Sequence, residues 1–189
     1  MLFWYNVQVD PRVHESEELF AGEVERILKL ERGWRRWGFS FVRVYPDARG
    51  ATHMRKRRES SYFTLTLAPN AQIRTFGKDF DGMSVADCHN RKIYINADRW
   101  AAGAKNRRDP VRDMPLALYR QYVILHEVGH ILSDCSATHH QTKCAPCGRA
   151  PIMMQQTNGV GDCRWNPWPV AGVDDVEPIE LIRRSHPSS

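Results

Sequence analysis

Two histidines four residues apart in an apolar stretch constrain this chain more than any other feature. The segment YVILHEVGHILSDCSATHH, residues 122–140, sets His126, Glu127 and His130 in a His-Glu-x-x-His pattern. On an α-helix that spacing puts both imidazoles on one face, one turn apart, able to meet a single ion. Tyr122, Leu125, Val128, Ile131 and Leu132 supply the packing positions of such a helix. Glu127 stands next to the first imidazole and can reach a water held by the ion. Zinc lowers the pKa of that water toward ~7 and polarises a scissile carbonyl, while the carboxylate takes the proton and later delivers it to the leaving amine. The pattern therefore points to zinc-dependent peptide hydrolysis, with His126 and His130 as ligands and Glu127 as general base. The competing reading is an amphipathic helix with incidental histidines.

Spacing leaves the third ligand open. In the metzincin pattern a Gly follows the second His by three residues and a third His follows it by six. Ser133 and Ser136 occupy those positions here, so the spacing is broken. Either a short insertion lets His139 or His140 swing back to the ion, or a later carboxylate serves, with Glu177 and Glu180 as candidates. Asp134, on the face of His130 but two turns from His126, is expected near the site or in solvent rather than on the ion. The run APIMMQ, Ala150 to Gln155, resembles a Met-turn, in which Met153 or Met154 would give apolar support under the metal. Its bland reading is two core methionines.

The rest of the chain frames that helix. Residues 2–9, 39–46, 61–69 and 91–100 alternate or are rich in β-formers and read as strands, the last leading into a turn. Residues 15–30 read as an amphipathic helix, with Leu19, Val24, Ile27, Leu28 and Leu30 on its apolar face and Glu17 and Glu18 at its N-terminal end. Pro115 is expected in the first turn of the His-bearing helix, with Asp113 near its cap. An irregular Cys-, Pro- and Gly-rich part follows, and residues 178–184 suggest a short terminal helix. This order predicts an α+β fold in one domain over residues 1–189: a small mixed sheet, an N-terminal backing helix and an active-site helix.

Composition narrows the partners. The net charge of +5 and the basic runs Arg55 to Arg58 and Arg107–Arg108 admit a nucleic-acid reading, but no aromatic residues are interleaved there to stack on bases, and solvated loops are the stronger expectation. No apolar run approaches the ~20 residues that span a bilayer, so no membrane partner is expected. The start MLFWYNVQVDP lacks a basic region and a small-residue cleavage site, and reads as a strand rather than a signal peptide. A monomer acting on a peptide or protein substrate is expected. Of the five cysteines, Cys88, Cys135, Cys144, Cys147 and Cys163, at least one stays unpaired within the chain. Disulfides would suit an exported protein and a second, structural zinc an intracellular one.

The segments GWRRWGFSFVRV, YINADRW, YVILHEVGH, APIMMQQTNG and GDCRWNPWP together resemble a family of metzincin-like zinc metallopeptidases, common in actinobacteria and long filed as a domain of unknown function. The resemblance runs over nearly the whole chain, and APIMMQQT followed by CRWNPWP is its most specific part. It implies one catalytic zinc on His126, His130 and a third histidine just before a cysteine. His140 matches that histidine best and His139 next, with Cys144 following. The family's Gly after the helix is Ser133 here, and extra residues precede the third histidine. The family is also one of secreted, disulfide-bonded proteins. Cys163 resembles half of a bridge to Cys144 or Cys147, and Cys88 a family cysteine whose partner, expected near AQIRTFG, is missing. A zinc held by Cys135, Cys144, Cys147 and Cys163 is the competing arrangement. In metzincin-like folds an extended peptide pairs with an edge strand above the active helix, and residues 61–69 are the candidate edge. The functional alternatives are a catalytically silent binding module on the same scaffold and, last, a nucleic-acid-associated protein.

Overall fold

The computed structural model describes residues 1–45, 61–103, 114–136 and 143–175. Asp113, His139, His140, Glu177, Glu180, the two arginine runs and the tail at 178–184 lie outside these residues. Among the described residues the order is β1 (Leu2–Val9), α1 (Glu17–Leu28), β2 (Ser40–Arg43), β3 (Tyr62–Ala68), α2 (Asn70–Ile73), β4 (Val85–Asp87), β5 (Lys92–Asn96), α3 (Ala97–Ala102) and α4 (Leu116–Leu132). The five strands form one mixed sheet in the order β2-β1-β3-β5-β4. The first four lie parallel to their neighbours, and β4 runs antiparallel to β5. The chain is an α+β fold, as its element order implies.

Period-two alternation decides which face of the sheet is covered. Phe3, Tyr5 and Val7 of β1, Phe63, Leu65 and Leu67 of β3, and Ile93 and Ile95 of β5 are buried. The register aligns Val7 with Leu65 and Leu65 with Ile93, so the apolar side chains form rows across the sheet. Each contributes about 1.5–3 kcal/mol by leaving water. Gln8, Thr64, Thr66 and Tyr94, on the other positions, are half-buried or exposed. Helices therefore belong on one face only. There α1 packs on β1, and α4 packs on α1, β4 and β5.

α1 differs from its expected pattern at both ends: Leu19 is off the buried face, and the helix stops at Leu28, so Leu30 lies outside it and half-buried. Ser16 caps the helix, its hydroxyl accepting from Leu19 N. Phe20, Ala21, Val24, Ile27 and Leu28 form the buried stripe, and Leu19, on the face of Glu23 and Arg26, is 70% exposed. After β5 the chain enters a helix rather than a turn, because the Asn96 side chain accepts from Arg99 N at 3.1 Å and caps α3. Pro115 sits at the N-cap of α4, one residue before its first turn.

The candidate edge strand at 61–69 is corrected. β3 is central, paired on one side with β1 and on the other with β5, and Phe63 and Leu65 are fully buried. The strand that borders the helix on an open side is β4. Its three residues, Val-Ala-Asp, are too few to leave an alternating signature in the sequence.

Candidate metal centre

Helix α4 runs through the interior. Every residue from Tyr122 to Leu132 is buried, so the helix is apolar nearly all round, as an enclosed helix must be. His126, Glu127 and His130 are the polar exceptions, at 3%, 5% and 6% exposure. The two imidazole rings lie 5.0 Å apart between centroids, edge to face. The 3.6-residue period alone brings them together.

A separate segment fixes one ring. His126 Nδ1 lies 2.7 Å from the Ile152 carbonyl oxygen. A carbonyl only accepts, so Nδ1 carries the proton, and a neutral ring then has its lone pair on Nε2. This carbonyl–histidine pairing is the arrangement that orients a metal-binding imidazole and raises its basicity.

Ile152 is itself held from three sides. Asp174, 2% exposed, accepts from Ile152 N at 2.9 Å, Met153 N at 3.3 Å and Val170 N at 2.9 Å. Burial pushes its carboxyl upward, and these amides oppose that shift. Tyr122 Oη donates to Met154 O at 3.1 Å and accepts from Gln156 N at 2.9 Å. The Gln156 amide donates to Pro151 O and Asn166 O. The APIMMQ run is thus a turn clamped against α4 by side chains, with no regular ladder of its own.

The two methionines part company in this turn. Met153 belongs to the main core and Met154 to a small separate cluster with Ala150, Val160 and Cys163. A Cβ at Gly129 would stand 2.6 Å from Met153 Sδ and 2.8 Å from Trp34 Cζ2. Glycine between Glu127 and His130 is therefore what lets Met153 lie against the helix. Trp34 completes the contact, its indole N–H donating to the Leu125 carbonyl at 2.8 Å.

Glu127 lies in the floor of an open cleft of about 780 Å³. Its pKa is pushed up to about 8 by burial away from water. A cation held by the neighbouring imidazoles would act in the opposite direction and keep the carboxylate ionised. Strand β4 and the segment that precedes it form the facing wall, with Val85, Ala86 and Asp87 along its edge.

The exit from α4 replaces the missing glycine by other means. Asp134 and Cys135 both adopt left-handed backbone, with φ of 51° and 59°. Such a conformation costs a non-glycine residue roughly 1–2 kcal/mol, less for Asp, whose short polar side chain tolerates it. Cys135 N donates to His130 O at 2.8 Å, and the Ser133 hydroxyl to Gly129 O at 3.0 Å. A disulfide from Cys135 to Cys88 and an Arg91–Asp134 pair at 3.6 Å hold the turn to the loop after β4. Asp134 is so placed at the surface, paired with Arg91.

Residues 1–164 match the family described as "Protein of unknown function (DUF3152)". The chain belongs to this family. No curated protein and no solved structure matches it. In this member of the family Cys88 does have a partner: it is Cys135, 47 residues on, and not a residue near AQIRTFG. Cys144 bonds Cys163, and Cys147 is exposed with a free thiol. The four-thiolate set of Cys135, Cys144, Cys147 and Cys163 is therefore not assembled, since three of its members are spent in two separate bridges.

Among the described residues no three His, Cys, Asp or Glu side chains come together as a metal set. What the described residues bring to one place is two imidazoles and Glu127, with His139 and His140 lying beyond them in the segment that follows Ser136. Two imidazoles on one helix face, one of them tied by a carbonyl, fit the donor chemistry of zinc. Gly129 and Asp174 support the site without standing out in the sequence, and Tyr122, expected only as a packing residue, also holds the turn through its hydroxyl. An isolated glycine inside a helical pattern was the one available signal, because it costs about 1 kcal/mol against alanine and implies a close neighbour. Asp174 left none.

Proposed function

We propose that this chain is a zinc-dependent endopeptidase. One observation carries the reading: the Ile152 carbonyl orients His126 on the same helix face as His130, with Glu127 between them in the floor of an open cleft. His126 and His130 would hold the ion, with His140 as the third ligand and His139 as its nearest rival. The bound ion supplies Lewis acidity, polarising a peptide carbonyl and bringing the pKa of water to about 7.

The chain's own residues supply the rest. Glu127 takes a proton from the attacking water and passes it to the leaving nitrogen. The outer edge of β4 offers an extended peptide a strand to pair with, beside the histidines. Met153 and Trp34 keep the helix face rigid from behind.

The test pairs metal content with turnover. Purified protein should carry close to one zinc, lose proteolysis to a chelator and regain it with zinc. Glu127→Gln should keep the zinc and lose cleavage by several orders of magnitude. Unchanged turnover in Glu127→Gln would sink the mechanism. A protein with no zinc and no cleavage across a peptide library would instead be the silent scaffold.

A further inference from the structure

We propose that the cleft selects its peptide by one large apolar side chain, seated against Phe80, Met83 and Val123 beside the His126–Glu127–His130 floor. The inference rests on the peptidase reading for the kind of ligand and adds what that ligand must carry.

Contacts at its two ends give the cleft a direction. Cys135, just past the end of α4, is bonded to Cys88, just past the end of β4. At the other end, Tyr122 binds the Gln156 amide, and the neighbouring Gln155 reaches Met83 Sδ at 3.7 Å, just before β4 begins. The helix and the strand therefore run side by side, with the histidines between a Cys88 end and a Met83 end.

The two ends differ in chemistry. The Cys88 end presents Asp87 and His89, and the Asp87 carboxylate is engaged by Asn90 N at 3.0 Å and Asn90 Nδ2 at 2.8 Å. The Met83 end presents Phe76, Phe80, Met83 and Val123, with Gln155 and Thr157 as the polar residues beside them. Phe76 rests on Tyr94 at 5.0 Å, whereas Phe80 is 37% exposed although it lines the cleft. Apolar surface left in water at a concave site is regained when a ligand covers it.

This wall is built in advance. Asn70 Oδ1 accepts from Gly82 N at 2.8 Å and from Asn96 Nδ2 at 3.0 Å, and Arg99 Nε donates to Gly82 O at 3.1 Å. Gly82 has a φ of 76°, which a side chain would strain. A wall held by three polar side chains needs little ordering when a ligand arrives, so its selectivity is expressed in affinity. A peptide paired with β4 turns alternate side chains into the cleft, so a single residue next to the scissile bond meets Phe80 and Met83.

The experiment uses the full chain with internally quenched decapeptides, one randomised position swept along the sequence, and the products mapped by mass. Peptides with Phe, Leu or Met at one position beside the cleaved bond should exceed their Ala counterparts roughly ten- to a hundredfold in kcat/KM. Phe80→Ala, at a partly exposed position, should cut that ratio toward one, the larger loss falling on the Phe, Leu or Met peptide; Met83→Ala gives a second reading of the same wall. No preference in the wild type, or an equal loss on both peptides, overturns the proposal. If nothing is cleaved, fluorescein-labelled Phe and Ala peptides are titrated into Glu127→Gln and read by anisotropy. Tighter binding of the Phe peptide, lost on adding Phe80→Ala, upholds the proposal even as the peptidase reading falls. Equal binding, or none, overturns it.

Discussion

Gly129 and Met153 meet closely enough to exclude a methyl group between them. A Cβ on residue 129 would come within 2.6 Å of Met153 Sδ and 2.8 Å of Trp34 Cζ2. Gly129→Ala should gain about 1 kcal/mol in helix propensity and lose about 1–3 kcal/mol to overpacking. Overpacking should win, because Trp34 is fully buried and anchored to Leu125 O and cannot retreat. The expected outcome is a net loss of up to about 2 kcal/mol, read as a fall in Tm of up to roughly 8 °C. Adding Met153→Ala should return part of it, and strict additivity of the two changes would contradict a direct contact.

Tyr122 stabilises the methionine-bearing turn through both faces of one hydroxyl, donating to Met154 O and accepting from Gln156 N. Tyr122→Phe leaves those two buried backbone groups without that partner. The cost should be about 1–3 kcal/mol in urea unfolding, at unchanged m-value. Because the same turn presents the Ile152 carbonyl to His126, zinc affinity should fall with it, by tenfold or more if the turn shifts. A stable variant with wild-type zinc affinity would show that the turn is held without Tyr122.

What was legible in the sequence followed from periodicity. The strand at residues 2–9 buries Phe3, Tyr5 and Val7 in alternation, broken only by the buried Asn6, and α4 declares itself through Tyr122, Leu125, Val128 and Ile131, all of which are buried. The His-Glu-x-x-His spacing placed His126, Glu127 and His130 on one face without any tertiary information. The misreadings share one cause: they depend on which segment lies next to which. β3 is expected as an edge only by analogy with metzincin-like folds, yet it is a central strand between β1 and β5, and its half-buried Thr positions alternate with buried apolar ones. β4 is too short to show a period, and nothing local pairs Cys88 with Cys135 or aims Asp174 at Ile152 N. Leu19 and Phe20 are adjacent apolar residues, and the helical period favours Phe20, which shares its face with Val24, Ile27 and Leu28.

Asp10 gives a pH dependence whose sign can be worked out. Its carboxylate accepts from Arg12 N and Arg12 Nε at 2.9 Å each and from Arg12 Nη2 at 2.8 Å. The guanidinium's hydrogen bonds, then the backbone N–H, bring its pKa down to about 2 from 3.8. A depressed folded pKa means the unfolded chain binds the proton more readily. The contribution is present above pH 3.8 and lost as pH falls through about 2. Solvent screening at this exposed pair keeps it under about 1 kcal/mol. Wild type should therefore exceed Asp10→Asn by that margin at pH 7, with the two curves converging toward pH 2 in chemical denaturation. A gap that stays constant with pH would assign the effect to shape rather than charge.

The Cys88–Cys135 bridge closes 47 residues and ties the end of the short strand β4 to the turn that leaves His130. Replacing both cysteines by serine should cost about 3–4 kcal/mol by the loop-closure argument. The local consequence is the more telling one. Asp134 and Cys135 are consecutive left-handed residues, and without the bridge the Arg91–Asp134 pair and the Cys135 N to His130 O hydrogen bond are left to hold them. Since β4 has only three paired positions, the cleft wall and the helix exit should loosen together. Hydrogen exchange should then speed at residues 85–88 and 133–136 well before it does in β1 or β3. Uniform acceleration across the sheet would mean that the bridge acts on global stability alone.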